Sequence, residues 1–284
     1  MAGSTPNAAQ ELFERAQRFE KEDRLEEAID AYRRVVPLAW RTVTLYERLL
    51  DLHLHRRELD AAWCVASMLV AFEDFDVVIA DNARELFEDY VPRRLLPCGK
   101  LDPSDWALLR DEGEDHGPPT AERPSVSAPP IEKTVGYDSA ALEWAVDVLG
   151  VSANIEVTDP PLEPKSSLDA THRMFLLRER LFFAGREATS YVAPYFDLRR
   201  CPAHVLRAKF PAFDDGRWQR AMNSTRTRAG VLVCREPLVA FQRLVLECAP
   251  EEELCDLAAF TVSAAHQRLR AKLGITVGTN ADRP

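Results

Sequence analysis

The chain has 284 residues, 46% of them hydrophobic, with 11 Gly and 19 Pro, which allows two modest domains with real cores and suits helices with proline-rich joints better than a β sandwich. A net charge of −10 and a pI near 5.2 argue against a nucleic-acid partner, because binding phosphate needs a basic face. No apolar run approaches the ~20 residues that span a bilayer, and the start Met1-Ala2-Gly3-Ser4 lacks a secretory signal's charged and apolar regions, so a cytoplasmic protein is expected. The six cysteines are scattered, with no C-x-x-C. They read as reduced, mostly buried thiols, not as a disulfide framework or a metal knuckle.

In chain order, residues 7–21 and 25–36 read as two amphipathic helices joined by the polar turn Glu22-Asp23-Arg24. Leu12, Ala16 and Phe19, then Ala28, Tyr32 and Val35, fall three and four apart and so share one face of each helix. Ala62, in "LDAAWCVASMLVAF", follows Ala28 by 34 residues. Tyr46 follows Leu12, and Leu69 follows Val35, at the same interval. A small residue at such a period marks helices that touch closely, where a larger side chain would push them apart. A further helix over 77–90, ending at Val91-Pro92, is expected to cap the array.

The stretch "LEEAIDAYRRVVP" resembles the second helix of a tetratricopeptide repeat. The resemblance implies stacked helical hairpins with a concave face that holds a peptide or partner helix. The expected partner contacts are Arg15, Tyr46, Leu49 and His53, on the first helix of each hairpin. The plainer alternative is that two repeats are too few for a groove and only pack on the rest of the chain.

A short helix is expected within 101–110, opened by Asp102-Pro103-Ser104-Asp105. The segment "DEGEDHGPPTAERPSVSAPP" that follows is acidic and then proline-rich, and reads as an extended linker in which His116 is solvated. These features divide the chain into 1–92, helical hairpins; 93–135, linker; and 136–284, a second, mostly helical domain.

In that second part, "SAALEWAVDVLGV" reads as a helix from Ser139 that Gly150 stops, followed by a short β-like run, "NIEVTD". A long helix over 168–192 carries a core stripe of Met174, Leu177, Leu181, Ala184 and Ala188. Further helices are expected over 203–209, 217–225, 228–234 and 237–247. The last expected helix is a single one over 251–274, acidic at its start and basic at its end, as the helix dipole favours.

"TRAGVLV" at 227–233 and "DLAAFTVSAAHQRLRAKLG" at 256–274 resemble segments of the HtpX-like zinc metallopeptidases, as does the order of helices around them. The chain also resembles multi-repeat bacterial proteins that carry no assigned activity. The peptidase resemblance implies a mainly α, zincin-like domain with little β, and it locates what is missing. The two histidine ligands of H-E-x-x-H would fall at Arg186 and Ser190, the general base at Glu187, the acid before R-A-G at Thr227 and the third ligand near Asn223. A catalytic zinc needs three lone-pair donors and a water, and a guanidinium has no lone pair to give. Without the metal Glu187 has no activated water to deprotonate. No metal, cofactor or catalytic residue is therefore expected. Arg186 is expected to pair with a carboxylate, such as Glu179, or to reach solvent.

His53, His55, His172, His204 and His266 show no ligand spacing, and "NSTRTRAG" reads as a solvated turn or an anion site at a helix start. The leading expectation is a non-catalytic scaffold or adaptor that binds a protein or peptide. Its rivals are a hydrolase built on Glu187 with His172 or His204, and a fixed subunit of a larger assembly.

Overall fold

The computed structural model describes residues 5–75, 78–90, 99–102, 104–110, 139–151, 170–189 and 214–278. Among these residues the protein is mainly helical and has no strand. The helices are α1 (Thr5–Lys21), α2 (Leu25–Ala39), α3 (Val43–His55), α4 (Leu59–Phe72), α5 (Asp81–Asp89), α6 (Trp106–Leu109), α7 (Ser139–Val148), α8 (Ala170–Ala188), α9 (Asp215–Cys234), α10 (Pro237–Leu246), α11 (Glu251–Thr261) and α12 (Ala264–Leu273). No described helix is long and apolar enough to cross a membrane. The expected β-like run at 154–159 and the helix at 203–209 lie outside the described residues.

The chain divides into two compact units. The first comprises the described residues within 1–95, 244–268 and 276–284. In it α1 pairs with α2, α3 with α4, and α2 packs on α3. The 34-residue period extends to the backbone. The αL residues Asp23 (φ 58°) and Arg57 (φ 59°) occupy matching places in the two turns. Arg24 N–H bonds the Phe19 carbonyl and Glu58 N–H the His53 carbonyl, each at 2.9 Å. Ala28 and Ala62 are both fully buried, as a small-residue contact between helices requires.

The second hairpin is enclosed further. α5 packs on α4, where the Phe87 ring stacks on Trp63 at 5.8 Å. α11 packs on α2 and α4 through a face that buries Leu254, Leu257 and Ala258. Val277 joins Trp63 and Cys64, with its N–H bonded to Asp60 Oδ1 at 2.8 Å. Residues 244–268 and 276–278 thus belong with the hairpins, although the sequence reading grouped them with the second domain. The reason is the composition of α4, which buries every residue from Ala61 to Leu69. A helix apolar on all sides must be covered on all sides, and part of that cover comes from distant sequence.

The second unit comprises the described residues within 96–243 and 269–275. α8 packs between α7 and α9, and α6 touches α9. Trp106 Nε1–H donates to the Leu149 carbonyl at 3.0 Å, and Leu101 N–H to the Val148 carbonyl at 2.8 Å. Gly150 ends α7 at φ +63°, where a Cβ would stand 2.1 Å from the Leu101 carbonyl oxygen, so glycine is required twice over.

Two stretches are divided into helices differently from the sequence reading. Residues 215–234 form one helix, capped by Asp214, whose Oδ1 accepts from Arg217 N–H at 3.0 Å. The expected interruption near Thr227 is absent because that side chain is buried inside the packed helix. Residues 251–273 form two helices instead of one. Ser263 Oγ accepts the His266 N–H at 3.1 Å and begins a new helix, while His266 Nδ1–H donates to the Thr261 carbonyl at 2.9 Å and satisfies the end of the old one.

Candidate functional site

Arg186 and Glu187 occupy the last turn of α8, against α9. The two helices cross at glycine on glycine: a Cβ on Gly185 would lie 2.8 Å from Gly230 Cα, and one on Gly230 would lie 2.7 Å from Phe182 Cδ2. This close crossing brings Arg226 of α9 to the end of α8. Its Nε–H donates to the Arg186 carbonyl at 3.4 Å and its Nη2 is 3.8 Å from Glu187 Oε2. Thr189 Oγ–H donates to the same carbonyl at 2.8 Å. A cation at a helix C-terminus is favourable, since the last carbonyls carry partial negative charge.

The Arg186 guanidinium lies over the Phe182 ring, 5.6 Å from its centroid. Glu179, the partner the sequence suggested for Arg186, is instead bonded to Arg243 Nη1 at 2.6 Å, and Arg243 also lies over Phe183 at 5.0 Å. Among the degenerate metal positions, Asn223 is half-buried and Thr227 fully buried on α9, while Ser190 lies outside the described residues. Among the described residues no three His, Cys, Asp or Glu side chains gather as a metal site would require. The sequence reading placed the compensating charge on Arg186 and missed Arg226. Arg226 stands one residue before Thr227, and only the α8–α9 crossing shows what it reaches.

Deeper in this unit lies a charged core that the sequence reading also missed. Arg178 of α8 forms an ion pair with Glu236, and both are buried. Arg235, at φ 68°, is buried too, and its carbonyl accepts from Arg270 Nη1 at 3.0 Å. Arg270 Nη2 donates to the Ile275 carbonyl at 2.9 Å. Burial pushes the Cys234 thiol up to about 12, so this cysteine is inert as a nucleophile at neutral pH. The ion pair must overcome a large desolvation cost. What the core does is fix the α9–α10 corner and the end of α12.

In the first unit, only one of the expected partner contacts is on the surface. Arg15 is exposed, with its guanidinium over the Phe19 ring at 5.2 Å. Tyr46, Leu49 and His53 are fully buried, which corrects their assignment: they build the hairpin core. Tyr46 packs edge-on to Phe72 at 5.0 Å, and its hydroxyl has no hydrogen-bond partner among the described residues. Lying on the first helix of a hairpin does not separate the buried stripe of that helix from its open side. The open side presents Gln10, Glu14 and Arg15 on α1 and Thr44, Arg48 and Asp51 on α3. At the α1–α2 end of the first hairpin a cavity of about 420 Å³ is lined by Gln10, Phe13, Val35, Leu38, Ala39 and Thr42.

No protein-family model matches this chain, and no curated protein or solved structure matches it.

Proposed function

We propose that this protein is a non-catalytic scaffold whose tetratricopeptide-like hairpins hold a segment of a partner protein, and whose second unit is a metallopeptidase-like fold without its metal. The observation that carries the first part is the asymmetry of the hairpins' surfaces. α11 covers α2 and α4, whereas α1 and α3 keep a polar open side that ends at the apolar cavity around Phe13 and Leu38. Rigid helix pairs with one covered and one open side suit recognition better than chemistry.

For the second part, the support is charge. Arg226 Nη2 lies 3.8 Å from Glu187, the residue that the peptidase resemblance aligns with the general base, and a guanidinium neither ligates zinc nor activates water.

Two measurements test this reading. Capture experiments with the whole chain are expected to return a defined partner that is lost with Leu38→Glu but kept with a charge placed on Leu246, which is exposed and does not line the cavity. An identical set of captured proteins for both variants would reject the hairpin surface. Elemental analysis of purified protein is expected to find no stoichiometric zinc, and one zinc per chain would reject the metal-free reading.

A further inference from the structure

Both hairpin turns carry ion pairs, but the turn that closes the second hairpin also holds a buried histidine. His53 is fully buried at the end of α3. Its Nδ1–H donates to Glu58 Oε2 at 2.7 Å, and its Nε2 is buried without a hydrogen-bond partner among the described residues. The backbone closes over this pair through Glu58 N–H to the His53 carbonyl at 2.9 Å. At the matching position in the first hairpin, the same backbone bond closes over Phe19, which has no proton to take up.

The charges around His53 come from each neighbouring element. α2 supplies Arg33, which bonds the Val262 carbonyl at the end of α11 at 2.7 Å and has Asp30 at 3.7 Å. It also supplies Glu26, bonded to Arg56 Nη2 at 2.9 Å. The cap of α3 is Arg56, whose Nε–H occupies the other oxygen of Glu58 at 2.9 Å. The start of α4 supplies Glu58 itself and Asp60, which is held by the Val277 amide. Asp51 and His55 of α3 are exposed.

We propose that the α3–α4 turn is a proton-operated latch: neutral His53 holds it closed, and acid releases the second hairpin while the first stays shut. A proton on Nε2 would create a buried donor with no acceptor and a buried cation beside two guanidinium groups. Among the described residues Glu58 is the sole carboxylate bonded to the ring, and Arg56 already shares it.

Burial, with Arg33 and Arg56 acting in the same sense, holds the imidazole below its ordinary 6.5, against the opposing pull of Glu58. A lowered value in the closed state means that the open state binds the proton first. Closure is therefore fully favoured above about 6.5 and weakens as pH falls below it. This holds whether or not the hairpins bind a partner.

The test uses the whole chain, with ring-labelled histidine followed by NMR from pH 8 to 5 and hydrogen exchange of α4 and α2 amides at pH 7.5 and 5.5. The His53 ring, assigned by its loss in His53→Gln, is expected to titrate below the ordinary value. Protection of α4, corrected for intrinsic exchange, is expected to fall by up to about tenfold per pH unit relative to α2, and His53→Phe is expected to abolish that fall. A ring that titrates at or above 6.5, or α2 and α4 losing protection in parallel, overturns the proposal. Both readouts are taken on the wild-type chain, with His53→Gln serving only to assign the ring, so they decide the matter even if the Phe variant does not fold.

Discussion

Residues 5–39 and 43–72 form two hairpins on one backbone plan, yet their side chains do different work. The turns share an αL residue at the same place, the same closing hydrogen bond and a buried alanine at the contact. Beyond that they diverge. Leu38 is 42% exposed beside the open cavity, whereas Phe72, its equivalent 34 residues on, is 2% exposed between Tyr46 and Trp40. The turn ion pairs are reversed in sign, Glu22–Arg24 in the first and Arg56–Glu58 in the second, each at 2.9 Å. Backbone geometry is thus held by the small residue and the turn, and what each hairpin packs against decides the rest.

Substitutions at matched positions sharpen or break this comparison. The largest effect is expected at Phe72: Phe72→Ala costs about 4 kcal/mol, while Leu38→Ala costs about 1 kcal/mol or less, because only the first leaves a cavity. Urea unfolding measures both, and equal losses would mean that the first hairpin is as enclosed as the second.

Next come Ala28→Leu and Ala62→Leu, each expected to cost about 2 kcal/mol by overpacking. Similar losses at the two sites would confirm that the close contact is the shared element.

Tyr46→Phe is expected to raise stability by about 1 kcal/mol, since it removes a buried hydroxyl with no partner among the described residues. A loss on thermal unfolding would mean that the hydroxyl is satisfied.

The smallest effect is expected from Arg56→Gln. Its pairs with Glu26 and Glu58 are largely screened by solvent and are worth under about 1 kcal/mol, a difference that salt erases.

Much of the first unit was legible. The hairpins could be read because a 3.6-residue periodicity and a 34-residue interval are both local records, visible without knowing what packs where. Ser139 and Gly150 likewise marked the ends of α7 through signals within the helix itself. The break at Ser263 was not read. Ser263 sits within an unbroken helical pattern, and its capping role appears only with His266 turned back onto Thr261. The candidate site was less legible. Arg186, Glu187 and Thr227 were located by a motif, but the cation beside Glu187 is Arg226. Tyr46, Leu49 and His53 looked available because their helix was known and its orientation was not.

From the residues alone came the acidic, mainly helical character, the 34-residue period and the absence of a histidine pair at 186 and 190, since each is a property of composition or of spacing along the chain. Tertiary structure decided which helix faces were covered, that residues 244–268 close over the hairpins, and which arginine meets which carboxylate. Those outcomes depend on close approach between segments far apart in sequence, as at Gly185 and Gly230 or between α4 and α11. A pattern of residue types does not encode such distances, because many partners can satisfy the same apolar stripe.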